Sequence, residues 1–199
     1  MELLEIINSA LVLAGANPLT SLAVDNKAKR VCMQHYPIVR DASLRVHTWK
    51  FALQRATLVT PDLVAPIFGY SYRFAMPEVP MKCLRVLEVE DDIPWGIEGR
   101  FITCDSNSIK IKFIARIEDT NAWDDLFTQY YITRLAAVVA LNLTQNITLH
   151  NQLNTDAKDL IKTAKFVNAT ESNLEKNSVQ DTTTWLDARS GGSYLRGDT

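Results

Sequence analysis

Three histidines and three cysteines are this chain's candidates for nucleophilic or metal chemistry. Cys32 and His35, three residues apart on a helical stretch, would share a face and offer two ligands. Structural zinc takes four, and no second pair stands at zinc-site spacing. His47 follows in the same region and His150 begins the last helical pattern, but no nucleophile elbow or triad signature accompanies them. Asp91 and Asp92 precede Ile93-Pro94-Trp95, and Asp124 and Asp125 follow Trp123. Acid–base work needs two carboxyl groups facing one reacting centre, whereas sequence neighbours point apart. The first pair therefore reads as a solvated turn and the second as favourable charge at a helix N-terminus. The seven glycines form no GxGxxG or P-loop array, and Gly191-Gly192 has no helix after it. Cys32, Cys83 and Cys104 are odd in number and widely spaced, which suits reduced, buried thiols rather than a disulfide framework. No catalytic residue, metal or cofactor is expected, so function must come from surfaces.

The charge balance narrows the partners. Across 199 residues, 21 basic side chains nearly cancel 23 acidic ones, leaving a formal net charge of -2 and no long-range field for nucleic acid or anionic membrane. Lys27, Lys29 and Arg30 cluster at the start of a helix, and Lys110 and Lys112 share a strand face; both groups read as solvated faces before phosphate contacts. Glu2 and Glu5 stand where a signal peptide carries positive charge, and no apolar run reaches the roughly 18 residues of a membrane span. A soluble, non-secreted protein is expected, with the sequons at Asn142, Asn146 and Asn168 arising by composition.

These residues must be positioned by elements whose periods change twice along the chain. Leu3, Ile6, Ile7, Ala10 and Leu13 repeat at helical spacing, and Gly15 with Asn17-Pro18 supplies a stop. A second helical pattern spans about 25–48, with Asp25 as its expected cap and Pro37 expected to kink it or divide it at Tyr36. Period two follows. Phe68, Tyr70, Tyr72 and Phe74 share one face of an expected strand, and residues 100–104 and 109–113 form an expected hairpin across a turn-rich connection. Further strands are expected over 51–59 and 83–90, the latter with apolar residues that change face partway. Together these give one small antiparallel sheet over about 50–117. Helical spacing returns at Asn121, read as a cap, with Trp123, Phe127, Tyr130, Tyr131, Leu135, Val138 and Leu141 as its stripe. Thr148 then caps a last helix whose seam is Leu149, Leu153, Ala157, Leu160, Ala164 and Val167. Past Glu171 the pattern fades into a polar tail. Trp185, Leu186, Tyr194 and Leu195 are spaced along that tail as anchors that order on a partner.

The fold class is therefore α+β: N-terminal helices over 1–48, an inserted antiparallel β region over 49–118, C-terminal helices over 119–174 completing a helical bundle, and an extended tail over 175–199. Several separate blocks add to that reading. Tyr36-Pro-Ile-Val-Arg-Asp-Ala-Ser-Leu-Arg-Val-His-Thr-Trp-Lys-Phe-Ala is similar to a helix of the type "Y, then RD, then LR, then H-P-W-N-F-A", with Thr48 and Lys50 departing from it around Trp49. Tyr72-Arg-Phe-Ala-Met-Pro with Cys83-Leu-Arg-Val-Leu is similar to "Y-x-L-P, then C-L-R-V". Ile97-Glu-Gly-Arg with Ile102, and Trp123-Asp-Asp-Leu-Phe leading to Leu135-Ala-Ala, follow in order. On these blocks, covering roughly 3–170, the sequence resembles the head-to-tail adaptor (tail tubular protein A) family of short-tailed bacteriophages.

The resemblance implies a structural virion protein, assembled in the host cytoplasm, that forms a homo-oligomeric, dodecameric ring beneath the portal protein. Such a ring receives the tail nozzle protein below and surrounds a channel through which double-stranded DNA passes without specific binding. Near-neutral charge suits a conduit, since a strongly basic bore would retain DNA. Trp185, Leu186, Arg189, Tyr194, Leu195 and Arg196 are the expected portal contacts, because aromatic and Arg side chains dominate interface energetics. Asp91, Asp92 and Trp95 are the expected nozzle contacts. Tyr36, Trp49, Phe51 and Trp123 are read as core. The alternatives are another phage neck or head-completion protein with a different ring partner, a small hydrolase, and a sequence-nonspecific DNA-binding module.

Overall fold

The computed structural model describes residues 1–90 and 93–180, with side chains through Glu171. The chain divides into two units, Met1–Ile161 and Lys162–Thr199, and the first holds the described strands and the core. Among the described residues the architecture is mixed α+β, with four α-helices and two three-stranded antiparallel sheets.

Helix α1 is Leu3–Leu13 and buries Ile6, Ile7, Ala10 and Leu11. At its end Gly15 takes φ +73, and the amides of Gly15 and Ala16 return to the carbonyls of Val12 and Leu11. This left-handed cap satisfies carbonyls that the last turn leaves open, at a position where a Cβ would be strained. Asn8 fixes the following chain: its amide group donates to the Leu19 carbonyl at 2.9 Å and its carbonyl accepts the Leu19 amide at 2.7 Å.

Helix α2 is Lys27–Arg45, capped by Asn26, whose side chain accepts the Lys29 amide at 2.8 Å. Asn26 therefore takes the role expected of Asp25. Pro37 lies inside one continuous helix and does not divide it. The carbonyl left without its amide partner is that of Met33, and both Met33 and Pro37 are exposed, so water can satisfy it.

Helix α3, Asp125–Leu143, is capped by Asp124, whose carboxylate accepts the amides of Leu126 and Phe127 at 2.9 and 3.1 Å. The expected cap, Asn121, instead lies in a short 3-10 turn and accepts from the N-terminal ammonium of Met1 at 3.0 Å. α1 and α2 both pack on α3, which is buried on most of its circumference. From the expected stripe, Leu141 is exposed and Val138 half-buried, because the burial follows two neighbouring helices instead of one face. Helix α4, Ile147–Gln180, is capped by Asn146, which accepts the Leu149 amide at 2.9 Å, and not by Thr148. The helix runs through 175–180, which had been expected as extended tail.

Between α2 and α3 the chain makes six strands: β1 Leu53–Leu58, β2 Tyr72–Ala75, β3 Cys83–Val89, β4 Trp95–Glu98, β5 Phe101–Cys104 and β6 Ile109–Ala115. They form two sheets, ordered β1-β6-β3 and β2-β5-β4, where one had been expected. β5 and β6 do not pair as a hairpin; the connection between them crosses from one sheet to the other. The tight hairpin is β4–β5, where Glu98 opposes Phe101 and Gly99 takes φ +62 in the two-residue turn. In β3 the register against β6 shifts twice, between Cys83 and Arg85 and between Val86 and Glu88. These bulges account for the change of face read in the sequence. The strand expected over 68–74 shortens to Tyr72–Ala75 because Gly69 turns the chain at φ +91, leaving Phe68 outside the sheet and exposed.

The helices meet the short 3-10 segment Lys50–Ala52, which leads into β1, through an aromatic cluster. Phe127 lies 5.0 Å from Trp49, 5.0 Å from Trp123 and 5.1 Å from Phe51, and Tyr131 lies 5.0 Å from Trp123 and 5.6 Å from Tyr36. Most of these contacts are edge-to-face, the geometry favoured by the ring quadrupole. Phe127→Ala removes the ring that four others flank. It should lower stability by about 3–5 kcal/mol, read as a fall in the denaturant midpoint at unchanged slope.

Candidate functional site

Burial acts directly on two of the three thiols and on a buried phenol. Burial pushes the Cys32 thiol up to about 11, the reverse of what a nucleophilic thiolate needs. Burial also raises Cys83, against a smaller opposing effect from Arg100. Tyr131 is pushed far up, first by burial and then by Tyr36. Among the described residues no three His, Cys, Asp or Glu side chains gather to hold a metal ion.

Both ring nitrogens of His150 are engaged. Nδ1 lies 2.7 Å from the Ala137 carbonyl, which can only accept, so Nδ1 carries the proton. Nε2 then accepts from the Asn154 amide group at 3.0 Å, while the Asn154 carbonyl accepts from Arg134 at 2.7 Å. This chain joins α3 to α4 and makes His150 a strut.

A second polar cluster joins α2 to the segment after β6. Arg116 forks onto Asp41, with Nε to Oδ1 at 3.1 Å and Nη2 on Oδ2. Arg40, only 6% exposed, donates to the same Asp41 Oδ1 at 3.1 Å, reaches Glu118 at 3.6 Å and covers the Tyr36 ring at 5.8 Å. Two cations facing two carboxylates leave neither sign unpaired, as burial demands.

Among the residues expected to make contacts, Trp185, Leu186, Arg189, Tyr194, Leu195 and Arg196 lie outside the described residues, as do Asp91 and Asp92. Trp95 opens β4 opposite Cys104 and is half-buried. Tyr36, Trp49 and Trp123 are buried together in the aromatic cluster, as core residues.

Three surface features stand out on the first unit. The outer face of the β1-β6-β3 sheet carries a shallow cleft of about 380 Å³ between Arg55, Lys110, Lys112, Glu88 and Glu90. Lys110 pairs with Glu90 at 2.6 Å and Lys112 approaches Glu88 at 3.7 Å. The basic strand face read in the sequence is thus matched by acidic residues of the neighbouring strand. A second cleft, of about 700 Å³, is lined by Phe51, Met81 and Ile117 together with the charged Glu78, Lys82, Arg116, Glu118 and Asp119. The third feature is the loop between β1 and β2, where Val59, Leu63, Val64, Ile67 and Phe68 all face solvent. Neither the second cleft nor this loop was read from the sequence. Proline inside an apolar run, here Pro66 followed by Gly69, was the signal for the loop, since it argues against a strand.

No protein-family model matches the sequence, and no curated protein matches it significantly.

Two predictions follow from this geometry. Glu88→Gln with Glu90→Gln removes the two carboxylates paired with Lys112 and Lys110 beside Arg55, so retention on a DNA column should rise above wild type at low salt. That gain should vanish by about 0.2 M salt, as expected for about two or three phosphate contacts. The buried thiol and phenol make stability fall at alkaline pH. Cys32 and Tyr131 keep their protons longer in the folded chain, so stability is fully present below the unfolded values. It declines as pH rises through about 9 to 11. Tyr131→Phe, which also loses the bond to the Tyr36 carbonyl, should show a shallower decline of Tm between pH 9 and 11.

Proposed function

We propose that this chain is a structural subunit of a bacteriophage head-to-tail adaptor. About twelve copies form a ring under the portal protein, receive the tail nozzle and surround the passage for double-stranded DNA. The observation that carries this reading is the ordered resemblance of the sequence blocks over roughly 3–170. The first and last of those blocks supply Tyr36, Trp49 and Trp123, the rings around which α2, α3 and the segment joining α2 to β1 pack. In this reading α1–α4 are the bundle and the two sheets between α2 and α3 are its insertion.

Two properties of the surface support an assembly role. A closed ring of head-to-tail contacts needs two different faces on each subunit. Helix α2 offers one, an outward stripe in which Met33, Ile38 and Val46 are exposed beside Pro37 and Ala42. The β region offers another in its apolar loop. The paired Lys and Glu ladder on the β1-β6-β3 sheet supplies no bare basic surface to hold passing DNA. Portal attachment falls to Trp185, Leu186, Arg189, Tyr194, Leu195 and Arg196, with Asp91, Asp92 and Trp95 on the nozzle side.

Light scattering after size exclusion, with and without the cognate portal ring, tests the reading. The expected result is one copy bound per portal subunit. Trp185→Ala should weaken that binding by about 2 kcal/mol or more while leaving the Tm of the free chain unchanged. A chain that ignores the portal at every concentration rejects the proposal.

A further inference from the structure

We infer that residues 59–71 form a strap over one face of the β2-β5-β4 sheet, pinned by Tyr70 in the notch that Gly96 leaves, and that this strap opens without unfolding of the sheets. The inference goes beyond the ring reading and does not rest on it.

Register sets the face that the strap covers. Arg73 and Gly96 both stand opposite Thr103, one on each side of it, and paired residues project to the same face. Phe101, two residues before Thr103, shares that face, while Phe74, Ile102 and Cys104 fill the other, buried one. Arg73 ties the strap to the first face. Its guanidinium stacks over Phe101 at 4.4 Å and grips the Asp62 carboxylate at 2.8 and 2.9 Å, and its carbonyl accepts the Asp62 amide at 2.8 Å. Where the strap enters β2, the amide and hydroxyl of Ser71 both donate to Asp105, at 2.9 and 3.0 Å. Tyr70 is the pin between them. A Cβ at Gly96 would stand 3.0 Å from Thr103 Oγ1 and 3.3 Å from Tyr70 Cε2, closer than packed atoms normally approach. The ring thus occupies the space that any side chain at 96 would need, an aromatic covering a glycine across the sheet.

The closed strap carries a cost. Thr103 is 0% exposed, and its hydroxyl has no hydrogen-bond partner. Burying a hydroxyl unpaired is unfavourable, and lifting Tyr70 returns this one to water. Little apolar burial opposes that release. Leu63, Ile67 and Phe68 are 101%, 100% and 87% exposed, so they contribute little to holding the strap down. What remains are polar fixings whose groups water can satisfy in turn. The side chains of the Arg73–Asp62 pair are 26% and 27% exposed, and the Ser71–Asp105 bonds lie at the surface. A segment with few buried apolar contacts and solvent-exposed hydrogen bonds opens at a fraction of the global free energy. The sheet beneath keeps its own pairing, since β5 is bonded to β2 and β4 through the backbone and not through Tyr70.

Chymotrypsin digestion of the native full chain tests this, with the cut after Phe68 identified by the mass of the 1–68 fragment. Cleavage through an opened segment tracks the population of the open form. The wild-type rate should rise little with urea below the unfolding transition, because a lifting strap exposes little surface. Thr103→Val, which removes the unpaired hydroxyl and keeps the shape, should slow the cut about fivefold or more. Tyr70→Ala should speed it about tenfold or more. In that background Thr103→Val should change the rate by less than about twofold, since the position is already wet. A wild-type rate that climbs with urea as steeply as global unfolding overturns the inference, and so does an unchanged rate in Thr103→Val. Equal slowing by Thr103→Val with and without Tyr70 also overturns it, because the sheet alone would then bury the hydroxyl.

Discussion

The burial of one aromatic cluster is the constraint on which the rest of the structure depends. Phe127 lies against Trp49, Phe51, Trp123 and Tyr131, so α3, the turn before it and the segment joining α2 to β1 converge on a single ring. Three polar handles orient the cluster. Trp49 Nε1 donates to the Ser43 carbonyl at 2.9 Å, Trp123 Nε1 to Ile117 at 3.1 Å and Tyr131 OH to Tyr36 at 3.0 Å. Each bond satisfies a group that would be costly to bury alone, and each also sets the angle of its ring. The Arg40, Asp41, Arg116 and Glu118 group then fastens the same helix to the far end of β6. Apolar packing supplies the stabilisation here and ion pairing fixes the placement, since a buried pair offsets its desolvation with little surplus.

That rigid frame leaves other surfaces unburied. α3 is buried on most of its circumference, and the inner face of β6 is buried through Ile109, Ile111 and Phe113, while Lys112 and Lys110 meet Glu88 on β3 and Glu90 just past its end. The apolar side chains of the β1–β2 loop gain nothing from this core. Their exposure is the strongest physical argument that the proposed ring contacts involve the β region as well as the helices. The thiols lie elsewhere, all buried, with burial raising Cys32 and Cys83, and the histidine that links α3 to α4 has both nitrogens engaged.

Much of the fold was legible because its signals are local. The helical repeat of Ile6, Ile7 and Ala10 with its glycine stop gave α1, and the alternation of Ile109, Ile111 and Phe113 with two lysines gave β6 and its faces. What failed was non-local. Nothing in the turn-rich 105–108 segment says whether it closes a hairpin or carries the chain between sheets, since register is decided by partners far along the sequence. Caps were misplaced by one to three residues because Asp25 and Asn26, or Asn121 and Asp124, offer equivalent side chains. Only the direction of the following turn selects between them. Pro37 was overweighted because its cost depends on whether water reaches the freed carbonyl, which an exposed face allows. The floor of the larger cleft could not be read, as Phe51, Met81 and Ile117 meet only in the folded chain.

The central claim is that the aromatic cluster makes the helices and the β1-β6-β3 sheet one cooperative unit, on which the apolar loop is mounted. Native-state hydrogen exchange as a function of denaturant tests it most directly. Amides in α2, α3, β1 and β6 should converge on one opening free energy, equal to that of global unfolding. If the amides of β1 and β6 instead open at a distinctly lower free energy while α2 and α3 stay protected, the sheet is a separate unit and the account is contradicted.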